Sequence, residues 1–402
     1  MADVRESGFK ERTRVAAARE QLLDIPPIDR TERISLSAAD GRALAAPVAA
    51  RRNIPHYARA AMDGWAVRAE DTFGASDRSP AVLRPGDSVG PNTAVRVHTG
   101  SELPEGADAV VMVEATEQVG NELEVFDAVG AGENVGPIGE DVEDGQRLYE
   151  PGHQLRPSDL GLLKGAGIDT VEVAARPEVA VIPTGEELVQ SDPDPGEIVE
   201  TNRFTVSRLA ERWGADVTRR SIVTDDREAL RAAVERDLTR DVVVTTGGSS
   251  VGERDLIPEV VSDLGEVFVH GVALKPGHPV ALGRVNGVTI VMLPGYPVAA
   301  IVNAVQFLRP LIKHLGRFPS EPLPSQAATL TRKIRSEPGV RTFARVTLSP
   351  TDDGLEATPT RASGSGVLSS VALADGWVVV PEQREGIPAD ETVAVQDWEH
   401  NV

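Results

Sequence analysis

A chain segment rich in small and polar residues, Thr245-Thr246-Gly247-Gly248-Ser249-Ser250-Val251-Gly252-Glu253-Arg254-Asp255, follows the apolar run that starts at Val242. Adjacent glycines after a buried strand let the backbone turn tightly and bring N–H groups against a phosphate. The hydroxyls of Ser249 and Ser250 add donors, and Asp255, three residues past Gly252, is placed to hold a metal ion or a water. Glycines at such a turn also have a purely steric use. The serines and the aspartate are what give the loop its chemical reading.

Three further loops carry matching chemistry. Leu274-Lys275-Pro276-Gly277-His278-Pro279 joins an apolar stretch to a tight turn and presents one of only five lysines in the chain. Leu293-Pro294-Gly295-Tyr296-Pro297 places a helix N-terminus, which attracts anions, after another apolar run. Thr184-Gly185-Glu186-Glu187-Leu188 supplies carboxylates. The set describes an anion site served by a lysine, backbone N–H groups and acids able to position a metal or water. A rival reading takes Gly248-Ser249-Ser250-Val251-Gly252 as a hydrolase nucleophile elbow, with His270 or His278 as its base. It is weakened by His270 falling inside a strand pattern and by too few strands around the loop.

The seven histidines show no metal-binding spacing and there are no cysteines. A zinc site is therefore excluded as a reading, and any bound metal should be a hard cation on Asp and Glu, Mg²⁺ first.

The elements that must hold these loops alternate. Val179–Ile182 reads as a strand, and Thr201 as the cap of a helix whose Val206, Leu209, Ala210 and Trp213 share a face. A strand near Val217–Val223 leads to Asp225, which with Glu228 matches a capping box. A strand at 241–246, a helix, a strand at 267–274, a hairpin at Asn286-Gly287 and a helix from Pro297 follow. Apolar strands alternating with amphipathic helices predict a doubly wound sheet covered on both faces, with the ligand beyond the carboxyl ends of its strands.

Outside this region the sequence predicts helices at about Lys10–Leu23 and Pro157–Lys164, and short strands with Gly/Pro turns over 51–139. A hairpin is expected there on Val119-Gly120-Asn121. After the proline-rich linker near Pro319, strands at 327–335, 341–348, 377–381 and 391–395 predict a small β-domain. The expected fold class is therefore α/β multidomain.

The formal charge is −21, from 62 acidic and 41 basic residues. No basic stripe exists to neutralise phosphates along a strand, so nucleic-acid binding is excluded as a general function. Many carboxylates with almost no lysine suggest a chain adapted to high salt, as in a halophilic organism. No secretory signal is visible, and the most apolar stretch, Val288–Leu308, is interrupted by Pro294, Gly295, Pro297 and Asn303. The expectation is a soluble, cytoplasmic protein without a membrane span.

Several ordered motifs resemble the molybdopterin molybdenumtransferase family (MoeA, and the gephyrin E domain). They are Ala61 to Arg68 (AMDGWAVR), His98-Thr99-Gly100, Gly106 to Glu114, Gly139-Glu140-Asp141, Thr184 to Leu188, Thr246 to Asp255, Lys275 to Pro279 and Leu293 to Val298. The resemblance implies a discontinuous first domain (1–50 and 140–177), an inserted β-rich domain (51–139), a MogA/MoaB-like doubly wound domain (178–318) and a β-barrel-like domain (319–402). It implies an elongated homodimer whose cleft joins two subunits. It also implies a reaction of adenylylated molybdopterin with molybdate or tungstate, in which AMP leaves with the help of Mg²⁺. The pterin adenylyltransferase and apo-molybdoenzymes are the implied further partners.

Carried over position by position, the resemblance assigns catalysis to Asp63, Thr99, Asp141, Glu187, Asp225, Asp255 and Lys275, with Glu187 and Asp255 on the metal. Substrate contacts fall to Thr184, Gly185, Gly247, Gly248, Ser249, Ser250, Gly252, His278, Pro294 and Gly295, with Ser369 or Ser370 from the last domain. His278 stands where many relatives have a second lysine, Tyr296 where Asn is common, Ala299 where Ser is common, and Gly271 where some relatives carry lysine. Pterin adenylylation and a non-catalytic scaffold on the same fold are the competing functions. The first resembles only the doubly wound domain, and the second would be expected to lose Asp63, Asp255 or Lys275.

Overall fold

The β-branched runs that are apolar at every position do form strands buried on both faces. In the computed structural model, which describes residues 12–247, 256–360 and 365–400, they build a six-stranded sheet. Its order is Asp216–Arg219, Glu178–Pro183, Val242–Thr246, Val288–Leu293, Ala281–Val285 and Glu266–His270. The first four strands are mutually parallel, and only Ala281–Val285 runs the other way, pairing antiparallel with Val288–Leu293 on one side and Glu266–His270 on the other. Val179, Val181, Val244 and Val291 point into one core with the helices Asn202–Arg212 and Pro297–Asn303. Ile182, Val243, Ile290 and Met292 point into a second core with Arg227–Arg236 and Leu256–Leu264. The expected double winding is thus realised by alternation along each strand.

The chain divides into two units: residues Arg33–Asp40 with Leu44–Val173, and the remainder. The larger unit also contains the carboxyl-terminal strands Ser325–Leu330, Arg341–Thr351, Gly354–Pro359, Gly376–Val380 and Thr392–Gln396. They close on themselves through the pairing of Arg341–Thr351 with Gly376–Val380, giving a five-stranded barrel. Trp377 stacks on Trp398 at 4.6 Å and meets Phe343 edge-on at 5.2 Å.

In the smaller unit a six-stranded sheet runs Ala109–Met112, Gly64–Val67, Thr93–Val97, Ala81–Pro85, Glu122–Val125 and Thr116–Val119. The expected hairpin is present, with a two-residue turn at Gly120-Asn121 between Val119 and Glu122. The segment Ala109–Met112 pairs with Gly64–Val67 instead of entering the hairpin. A separate core around Leu44, Leu155 and Leu163 packs the helix Pro157–Gly165.

Several local expectations are corrected. The helix Arg227–Arg236 is capped by Asp226, whose carboxylate accepts the Ala229 N–H at 2.9 Å, and not by Asp225. Thr201 makes no side-chain cap; Glu200 accepts the Arg203 N–H at 2.6 Å, its two-carbon stem reaching where the shorter threonine does not. The strand expected near Val217–Val223 ends at Arg219. The stretch 267–274 is two strands, Glu266–His270 and Leu274–Lys275, and the second leaves the sheet to pair with the barrel at Arg341 and Thr342. Strand Gly354–Pro359 was not anticipated, and 327–335 splits at Leu330. Among the described residues no helix is long and apolar enough to cross a membrane.

Candidate functional site

Parallel pairing decides where the loops gather. Pro183 aligns with Thr246 and Thr246 with Leu293, so Thr184, Gly247 and Pro294 leave the sheet at one edge. A cavity of 1060 Å³ opens there. Gly247 has φ +115°, and a Cβ at this position would stand 2.1 Å from the Thr184 carbonyl oxygen, so only glycine lets two strand ends approach this closely. Its N–H donates to the Leu293 carbonyl at 3.1 Å.

Of the residues assigned from sequence, Thr184, Glu187, Gly247, Lys275, His278, Pro294 and Gly295 line this cavity. Gly185 adjoins it, with its N–H on the Val223 carbonyl at 3.2 Å. Glu187 is exposed, and its Oε2 would stand 2.8 Å from a Cβ at Gly185, so its carboxylate folds against that bare backbone. Asp225 follows Val223 by two residues on the same loop but is not among the lining residues. Gly248, Ser249, Ser250, Gly252 and Asp255 lie outside the described residues. Ser369 and Ser370 occupy a single helical turn; the Ser370 hydroxyl donates to the Val367 carbonyl at 2.6 Å, while Ser365 and Gly366 are the nearby residues that line the cavity.

The turn carrying Lys275 is fixed from behind. Asn303, fully buried, donates from Nδ2 to the carbonyls of Gly277 and Ala299, each at 2.9 Å. Gly277 has φ +108° and would press a Cβ to 2.2 Å from that amide. Burial lowers the His278 pKa from its usual value, and Arg12 and Lys275 act the same way against Glu337. The imidazole is therefore mostly neutral at pH 7 and adds little charge to the cavity lining.

The opposite wall comes from the barrel and carries residues that the sequence reading missed. Lys275 is the parallel partner of Thr342, and Phe343 and Arg345 continue along that strand into the cavity lining, together with Arg335. Arg345 is only 8% exposed, and burial lowers its pKa from the usual value, although a guanidinium stays charged throughout. An arginine inside the apolar run Phe343-Ala344-Arg345-Val346 was the available signal. The cavity thus combines Lys275, Arg335 and Arg345 with the carboxylates Glu187 and Glu200.

In the smaller unit, the Asp63 carboxylate accepts the Thr99 N–H at 2.7 Å and the Thr99 hydroxyl at 2.9 Å. These bonds from the Thr99 backbone and side chain hold its carboxyl below the usual range. The Thr99 turn is braced by Ser101, whose hydroxyl donates to the His98 carbonyl at 2.6 Å, and by Tyr57, which donates to the Gly100 carbonyl at 3.2 Å. Asp141 is exposed, with its N–H on the Ile54 carbonyl at 2.9 Å. Among the described residues no three Asp, Glu or His side chains gather as a metal cage.

Residues 13–167 match the MoeA N-terminal region (domain I and II), 180–314 a probable molybdopterin binding domain, and 327–398 the MoeA C-terminal region (domain IV). The chain is 32% identical to a molybdopterin molybdenumtransferase of Haemophilus influenzae over 95% of its own length and 98% of the relative's. It is 36% identical to a protein of Methanocaldococcus jannaschii named for molybdopterin biosynthesis, over 91% and 92% of the two chains. A crystal structure of a MoeA molybdopterin biosynthesis protein from Pyrococcus horikoshii, 33% identical, superposes with a TM-score of 0.83 and covers 97% of this chain and 100% of its own. With the match running through both units, this chain belongs to the MoeA family.

Proposed function

We propose that this protein is a molybdenum cofactor biosynthesis enzyme that inserts molybdate, or tungstate, into adenylylated molybdopterin with release of AMP. The observation that carries the reading is one cavity holding three cations, two carboxylates and the ends of three parallel strands. At 1060 Å³ it lies at the top of the range for small-molecule pockets, suited to a ligand as large as a pterin joined to a nucleotide.

The roles follow from charge. Lys275, Arg335 and Arg345 bind the phosphates and stabilise negative charge as the bond between them breaks. The helix starting at Pro297 adds its positive end at Pro294–Tyr296. Buried Arg345 fixes orientation, because its planar fork engages two oxygens at once. Glu187 orients the attacking water. Mg²⁺ usually takes one or two protein carboxylates and completes its shell with substrate phosphate oxygens and water. Exposed Glu187 fits that pattern, and with Asp255 it would hold the ion, which supplies charge neutralisation when bound. Asp63 and Thr99 serve the same turnover, and the working form is a homodimer in the cytoplasm.

AMP release from adenylylated molybdopterin should require molybdate and Mg²⁺ together. Equal release without any oxyanion would reject insertion and leave a hydrolase. A tungstate arm reads metal preference.

A further inference from the structure

Lys275, which lines the cavity, already holds a partner. Its Nζ donates to Glu337 Oε1 at 2.8 Å. Glu337 comes from the barrel side, as the first residue of the turn Glu337-Pro338-Gly339-Val340, closed by the Val340 N–H on the Glu337 carbonyl at 3.1 Å. Proline in the second place and Gly339 at φ +81° in the third make that turn stiff. It is pinned further by the Gly339 N–H on the Glu382 carbonyl at 2.8 Å and the Ser336 N–H on the Glu385 carbonyl at 2.9 Å. The backbone of Glu337 is therefore held in a set place, and its side chain, carrying the carboxylate, is free to swing.

Two cations face it, Lys275 and Arg12, with the His278 imidazole beside them, and the hydrogen bond and charge of Lys275 hold its carboxyl below the usual range. The Lys275 and Glu337 side chains are 59% and 60% exposed, so a ligand can reach both. An exposed pair of this kind is weak and exchanges readily.

We infer that Glu337 is the internal counter-ion of the anion site and a specificity residue for its ligand. An anion that takes Lys275 must displace a carboxylate already there. A monoanion replaces one negative charge with another and gains nothing from the lysine. A dianionic oxyanion, such as a phosphate group or molybdate, brings the charge that the exchange requires. The inference rests on reading the cavity as an anion site and names what that site rejects.

The test is calorimetric titration of inorganic phosphate at pH 8, with nitrate as a competing monoanion, into the full chain. Glu337→Gln should bind phosphate roughly two- to fivefold tighter than wild type, the factor expected for losing an exposed ion pair. It should also allow nitrate to compete where wild type does not. Glu385→Gln, which removes one charge beside the same turn, should leave phosphate affinity unchanged. Lys275→Met combined with Glu337→Gln should erase the gain. Equal or weaker binding by Glu337→Gln, an equal gain in Glu385→Gln, or no phosphate binding by either wild type or Glu337→Gln would each overturn the inference. Molybdate-dependent AMP release by wild type is scored separately. Release without a Glu337 effect removes only the counter-ion role, and a Glu337 effect without release removes only the transferase reading.

Discussion

Asp63 and Arg345 are readied by opposite means. Asp63 is exposed and depends on two hydrogen bonds from a single residue, Thr99, to fix its carboxylate and keep it ionised. Arg345 is held by burial in a strand that the barrel closes around. Thr99→Val keeps the backbone bond and removes the hydroxyl bond, so the Asp63 carboxyl should titrate higher by NMR, though still below the value in an unstructured peptide. Its loss of turnover should be about tenfold, against about 10²-fold for Asp63→Ala. An unchanged Asp63 titration in Thr99→Val would show that the hydroxyl bond carries nothing. Both residues of this pair were legible as motifs, because a short polar cluster beside glycines stands out in sequence. Arg345 was not, since its place depends on which face of Arg341–Thr351 turns inward, a fact set by strands distant in the chain.

Elements built on periodicity were read well from sequence, and elements built on a single partner were not. The helices Asn202–Arg212 and Arg227–Arg236 announce themselves by apolar faces, whereas their caps are less legible: Glu200 is not a residue favoured by propensity, and Asp226 is one but stands beside the equally favoured Asp225. The two-residue strand Leu274–Lys275 exists only because the barrel offers Arg341 and Thr342 as partners. The wide turn Ala304–Leu308 has a similarly specific cause. Pro310 has no N–H for the Gln306 carbonyl, and Arg19 Nε donates to that carbonyl at 3.2 Å instead. The helix Pro157–Gly165 depends on Asp159, which is 2% exposed and accepts from Arg156, from Tyr149 at 3.0 Å and from His153 at 2.8 Å. Burial alone would raise the Asp159 carboxyl; the bonds from Arg156, His153 and Tyr149 outweigh it and hold the carboxyl well below the usual range. Burial and the same carboxylate push the Tyr149 hydroxyl up to about 12. A depressed carboxyl stabilises the fold above its unfolded-state pKa, about 3.9, and that stability is lost as pH falls through the lower folded value. Asp159→Asn should therefore cost roughly 2–4 kcal/mol at pH 7, with the gap from wild type shrinking below about pH 4. Melting curves of the two proteins from pH 7 to pH 3 check this, and a gap that widens on acidification would contradict it.

At the scale of the whole chain, electrostatics opposes the fold that the cores stabilise. The net charge of −21 is unevenly placed: residues 101–150 contain fourteen carboxylates and Arg147 as their only cation, a net of −13 (1 − 14). Ion pairs in the larger unit, such as Arg30 with Asp241 at 2.7 Å and Arg384 with Glu391 at 2.6 Å, are the attractive interactions that salt also weakens. Exposed pairs of this kind contribute little each, and 62 acids against 41 bases leave repulsion in excess. Screening should therefore stabilise the protein overall, with the largest effect in the smaller unit, where residues 101–150 lie. Raising KCl from about 0.1 M to 1 M shortens the Debye length from about 10 Å to about 3 Å, which separates neighbouring carboxylates electrically without altering the apolar cores. The expected outcome is a melting temperature that climbs with KCl, accompanied by slower amide exchange over 101–150 than the change seen in the strands Glu178–Pro183 and Val242–Thr246. A melting temperature that stays flat or falls would mean that the ion pairs outweigh the repulsion, and the reading of this composition as an adaptation to a saline interior would fail.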